Sequence, residues 1–139
     1  MRRRNAQLKK MRDAALYEIY LKGLEEGRFA SLCEAADYVI RQPAPRFYIS
    51  ATAVRKHISN QTIWKDSEGR DTPSQRRDFI LNERYKAYLK EHPDCQLSLE
   101  IILEILVQEP APEFYIGPET ARQALRREIS KRRKKWAGY

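Results

Sequence analysis

Apolar residues fall at helical spacing in six separate stretches of this chain. From about Asn5 to Glu26 good helix formers dominate. Leu8, Met11, Ala15 and Ile19 mark one apolar face there, and Tyr17, Tyr20, Leu21 and Leu24 an adjoining one, with Gly27 placed as the left-handed residue that ends a helix. Ser31-Leu32-Cys33-Glu34 reads as a capping box, followed by an inward stripe of Leu32, Ala35, Ala36, Val39 and Ile40. A third helix, from Ala51 to Trp64, follows the N-cap Ser50, with Val54, Ile58 and Thr62 inward. Thr72-Pro73-Ser74-Gln75 opens a fourth, with Leu81, Tyr85, Tyr88 and Leu89 on its apolar face. Ser98 caps a fifth, from Leu99 to Gln108. Its stripe is Leu99, Ile102, Leu103, Leu106 and Val107, and Ile101 and Ile105 make it apolar almost all round. Such a helix is expected to be buried on more than one side. Gly117-Pro118-Glu119 starts the sixth, with Ala121, Leu125 and Ile129 inward.

The stretches form two matching sets. Pro43-Ala44-Pro45-Arg46-Phe47-Tyr48-Ile49-Ser50 returns as Pro110-Ala111-Pro112-Glu113-Phe114-Tyr115-Ile116-Gly117, an offset of 67 residues (110 − 43). Each copy follows one helical pattern and leads into another. The pattern predicts an all-α protein of about six helices, a tandem duplication of a trihelical, helix-turn-helix-like unit with minimal extended Phe-Tyr-Ile segments. The expected boundaries are a first repeat over 1–64 with a basic N-terminal arm, a linker over 65–72, and a second repeat over 73–139 with a basic C-terminal tail. The fifth helix is expected to form the contact between repeats or a homodimer seam, with Ile101 and Ile105 as its interface residues.

Charge changes the picture more than overall composition does. The net charge is +8, but residues 1–12 carry +6 and residues 121–139 carry +7, leaving −5 for the remainder. Two basic ends point to a polyanionic partner, nucleic acid first and duplex DNA ahead of RNA. The candidate phosphate-gripping residues in the tracts are Arg2, Arg3, Arg4, Lys9 and Lys10 at one end and Arg126, Arg127, Lys131, Arg132, Arg133, Lys134 and Lys135 at the other. On the third helices of the two repeats, Arg55, Lys56 and Arg122 are the candidates, Arg55 and Arg122 being equivalent under the offset. Phe-Tyr-Ile offers aromatics that stack on RNA bases, but between a proline and an N-cap it is expected to plug a gap between helices.

Little else invites chemistry. No Gly-rich phosphate loop, Ser/His/Asp arrangement or inward-facing carboxylate pair stands out, so the chain is expected to be non-catalytic and to need no cofactor. His92 and Cys95 are two metal-type ligands without the paired spacing of a zinc site, and no metal is expected. Cys33 and Cys95 are expected as buried free thiols of a reducing compartment. No run approaches a membrane span and no secretory leader is visible, so a cytoplasmic or virion-associated setting is expected.

The repeated Pro-Ala-Pro-x-Phe-Tyr-Ile segment, with the helix start from Ala51 to Arg55, resembles a segment of small basic proteins of gut Bacteroidales bacteria and their mobile elements or phages. The likeness implies a bacterial or phage setting and brings no established activity or functional residues. It supports a second expectation, a structural or protein-interaction module of a phage particle or mobile-element complex.

Overall fold

The computed structural model describes residues 2–59 and 72–137, with side chains described over 6–57 and 72–133. Among these residues the fold is all-helical, with six helices: α1 (Arg2–Glu25), α2 (Leu32–Ile40), α3 (Ala51–Ser59), α4 (Pro73–Glu91), α5 (Leu99–Val107) and α6 (Pro118–Ala137). Residues 65–71 of the expected linker, and the end of the expected third helix with Thr62 and Trp64, lie outside the described residues.

Local chemistry sets the helix ends. Ser31 Oγ accepts from the Glu34 amide at 3.2 Å. The Glu34 carboxylate reaches back to the amide of Ala30, at 2.8 Å, one residue before the cap. Thr72 and Gln75 close a reciprocal capping box, at 3.2 and 3.1 Å, with Pro73 in the first turn. Ser50 and Ser98 each accept from the amide three residues on, at 3.3 Å. Gly27, at φ 67°, ends α1 with the amide of Arg28 on the Gly23 carbonyl and its own amide on Leu24, the paired bonds of a Schellman motif.

The helices group into two compact units that do not follow the two repeats. Unit 1 is Met1–Ala44 with Pro112–Tyr139, and unit 2 is Pro45–Ala111. Unit 1 therefore packs α1 and α2 with α6, and unit 2 packs α4 and α5 with α3. The third helix, α3, thus packs with α4 and α5, and the sixth, α6, with α1 and α2. The chain changes unit at the same place in both copies of the repeated segment, beside the alanine of Pro-Ala-Pro (Ala44 and Ala111). Prolines on both sides of that alanine remove amides and disfavour helical backbone before them, so the chain does not fold tightly back onto its own pair of helices.

The unit 1 core is built from Leu16, Ala35, Ala36, Val39, Phe114, Ala121, Ala124 and Leu125, all at most 4% exposed. Its alanines let three helices approach closely. Unit 2 uses larger side chains: Phe47, Val54, Leu81, Ile102, Leu103, Leu106 and Val107. Phe47 is a unit 2 residue twice over. Its amide donates to the Val107 carbonyl at the end of α5, at 2.8 Å, and its ring lies under the Arg84 guanidinium, 5.1 Å away. The Phe-Tyr-Ile segments form no strand among the described residues, and Tyr115 sits at φ 57°, a left-handed position that costs a tyrosine about 1 kcal/mol or more. Burial pushes the Tyr48 phenol above its ordinary range, against the pull of the Arg46 cation.

Three expectations need correction. The centre of α1's inner face is Leu16, fully buried, while Met11, Leu21 and Leu24 are exposed. The all-round apolar α5 is buried on one side only. Ile101 and Ile105 stay 46% and 41% exposed, because a nine-residue helix in a three-helix unit meets neighbours along a single stripe. The cysteines are free, but Cys33 is exposed and Cys95 half-buried.

Two variants test this packing. Leu81→Ala empties a fully buried site and should cost about 2–5 kcal/mol in urea unfolding. Gly23→Ala should also destabilise, by about 1–3 kcal/mol, although alanine is the better helix former. A Cβ at Gly23 would lie 2.5 Å from Phe29, whose ring is held between Tyr20 and Tyr38 at 5.5 and 5.8 Å.

Candidate nucleic-acid interface

The packing of α6 with α1 and α2 brings both chain ends into unit 1. Lys9 and Lys10 on α1 and Arg126, Arg127 and Lys131 on α6 line one open groove of about 590 Å³, together with Asp13, Glu128 and small residues. The five cations are exposed, whereas the two carboxylates are buried, at 6% and 7%. The charge of the whole chain is concentrated in the same way. Unit 1 holds 17 Lys/Arg against 9 Asp/Glu, which is the full +8, and unit 2 holds 10 of each. Had α6 packed with α4 and α5, the two basic ends would belong to different units.

Asp13 supports the groove from below. Its Oδ1 accepts from Arg12 Nε and Nη2 at 3.1 and 2.9 Å, and its Oδ2 accepts from Arg127 Nη2 at 3.1 Å. Arg127 is thereby steered across from α6, yet its side chain stays 47% exposed. Unit 2 repeats the device at Asp78. Asp78 Oδ1 accepts from Arg77 Nε at 3.1 Å, and Oδ2 lies 2.7 Å from His57 Nδ1 on α3.

These buried aspartates are lone carboxylates, not the inward-facing pair weighed from the sequence, and are not singled out there. A signal was present: Arg12-Asp13-x-x-Leu16-x-Glu18-x-Tyr20 recurs as Arg77-Asp78-x-x-Leu81-x-Glu83-x-Tyr85, an offset of 65 residues (78 − 13). The tyrosine-leucine-lysine sequence of residues 20–22 also recurs at 88–90, in a different register.

The other predicted contacts fare differently. Arg132 lies over the Tyr17 ring, 4.3 Å from its centre, and Arg133 is exposed on α6. The side chains of Arg2, Arg3, Arg4, Lys134 and Lys135 lie outside the described residues. The third-helix arginines are engaged within the protein. Arg55 pairs with Glu100 at 3.7 Å, and Arg122 binds Glu119 and reaches Cys33 Sγ at 3.5 Å. The Arg122 guanidinium holds the Glu119 carboxyl below the usual carboxylate range, so this pair favours the folded state above that range and loses its effect as the pH falls through the lowered value. Lys56 is exposed on α3, in unit 2, and is not among the groove-lining residues. Among the described residues no cluster of three metal-ligating side chains occurs, and no helix is long and apolar enough to cross a membrane.

Asp13→Ala and Asp78→Ala should each cost about 1–3 kcal/mol in chemical denaturation, with the asparagine variants losing less because one acceptor is kept.

No protein-family model, curated protein or solved structure matches this chain.

Proposed function

We propose that the protein is a non-catalytic nucleic-acid-binding protein that grips the phosphate backbone of duplex DNA in the α1–α6 groove of unit 1. The observation that carries this reading is the meeting of two basic tracts, more than a hundred residues apart in sequence, in one groove with exposed cations and buried anions. Lys9, Lys10, Arg126, Arg127 and Lys131 contact phosphates, and Arg132 and Arg133 extend the basic face along α6. Contacts of this kind position a duplex without reading its sequence.

Duplex is favoured over single-stranded RNA by where the aromatics are. Single-strand recognition needs open rings on which bases stack. Phe47, Phe114 and Tyr115 are buried, and Tyr17, Tyr20, Phe29 and Tyr38 are half-buried against one another in a continuous row, while the exposed ring of Phe79 belongs to unit 2 and is not among the groove-lining residues. The third helices contribute unequally. α6 supplies most of the groove's cations, whereas α3 adds only Lys56 beside an arginine already paired with Glu100.

The test is binding to a 20-base-pair duplex over a salt series. The five phosphate contacts predict a log–log slope of about −4.5, which is a loss of about 500-fold in affinity between 50 and 200 mM salt. Lys9→Gln with Lys10→Gln should flatten that slope by about 2. Lys56→Gln should leave affinity within about twofold. Absence of binding at low salt, or equal losses from the α3 and α1 variants, would overturn the proposal.

A further inference from the structure

Unit 2 carries a surface of opposite character, independent of the basic groove. Leu97, Ile101 and Ile105 follow one another at four-residue spacing along the entry to α5 and the helix itself, and are 45%, 46% and 41% exposed. Along the chain around them the charges have one sign, although across unit 2 Arg55 of α3 pairs with Glu100 at 3.7 Å. From Glu91 to Glu109 the chain holds Glu91, Asp94, Glu100, Glu104 and Glu109 and no Lys or Arg. On α5 itself the only charged residues are Glu100 and Glu104.

The comparable place in unit 1 is closed by the chain itself. There the loop before α2 supplies Phe29, which packs on Tyr38, the residue that corresponds to Ile105 at the 67-residue offset, and on Tyr20. The loop before α5 supplies no aromatic, and its Leu97 is half-exposed. Unit 2 thus keeps open an aliphatic stripe that unit 1 covers from within.

We propose that this stripe is a docking site for a basic amphipathic helix of a partner protein. Its aliphatic side chains would lie along Leu97, Ile101 and Ile105, and its Lys or Arg residues would face Glu104, Glu100 being already paired with Arg55 and Thr52. The chemistry selects that occupant over a second copy of this chain. A symmetric pairing through α5 would set Glu104 against the same acidic face. Three half-exposed aliphatic residues also fall far short of the roughly 800 Å² per partner that a stable protein interface buries. A single helix lying across the stripe needs less area and reads it as apolar anchors one turn apart, with electrostatic complementarity fixing its orientation.

The probe is a labelled 18-residue peptide with leucines at helical i, i+3, i+4 and i+7 positions and lysines elsewhere, titrated into the full chain and followed by anisotropy. Binding should weaken about tenfold or more in Ile101→Ala with Ile105→Ala. Both positions are exposed, so the variant should keep the native melting curve. Glu104→Lys should weaken binding about threefold, with a shallower salt dependence. Native-like affinity in both variants would overturn the proposal, as would an Ile-dependent interaction that Glu104→Lys leaves unchanged. Sedimentation showing that the native chain self-associates through Ile101 and Ile105, without binding the peptide, would reassign the face to a second copy.

Discussion

A carboxylate buried on the first helix of each unit sets terms for what packs around it. Asp13 and Asp78 are 6% and 7% exposed, and an anion taken that far out of water has to be met by donors on both oxygens. The preceding arginine meets one oxygen from the same helix. The other has to be met from elsewhere, and in both units a third helix does so, through Arg127 or His57. That requirement selects which face of the third helix turns inward and at what height. Apolar packing alone would specify this loosely in unit 1, where much of the core is alanine and neighbouring turns offer nearly equivalent surfaces.

What was legible in the sequence was whatever is decided within a few residues. The caps at Ser31, Ser50, Thr72 and Ser98 and the terminator at Gly27 rest on bonds spanning three to five positions, and each occurs in the fold. The stripes of α2 and α5 were legible for a similar reason, since periodicity marks a buried face directly. Asp13 was not, because its burial depends on a partner 114 residues away. Ile101 and Ile105 stay exposed within the chain: their chemistry favours burial, but burial also needs a neighbour. The grouping of helices was the least legible property. A repeat shows that two segments are alike without showing which copy packs with which. The Pro-Ala-Pro segment, read as a helix stop, is also where the chain changes unit.

That change of unit links the fold to the electrostatics. It sends α6, with the C-terminal tract, back to the unit that holds the N-terminal tract, so all of the net charge gathers on unit 1 and unit 2 is left neutral. Concentrating like charge works against folding through self-repulsion, and the cost grows at low ionic strength. Asp13 and Glu128 beneath the groove offset part of it. Asp13 holds two arginines directly, and its carboxylate lies where it attracts the surrounding cations without occupying the surface they present. On the proposed function, a phosphate backbone in the groove supplies the remaining neutralisation. The free energy of that contact is then partly the relief of strain built into unit 1, and a ligand that binds only the folded groove stabilises unit 1 by mass action while leaving the neutral unit 2 with no equivalent gain. The same separation of charge leaves the stretch from 91 to 109 without Lys or Arg, and of the two carboxylates on α5 it is Glu104 that a cationic helix would meet, Glu100 being paired with Arg55.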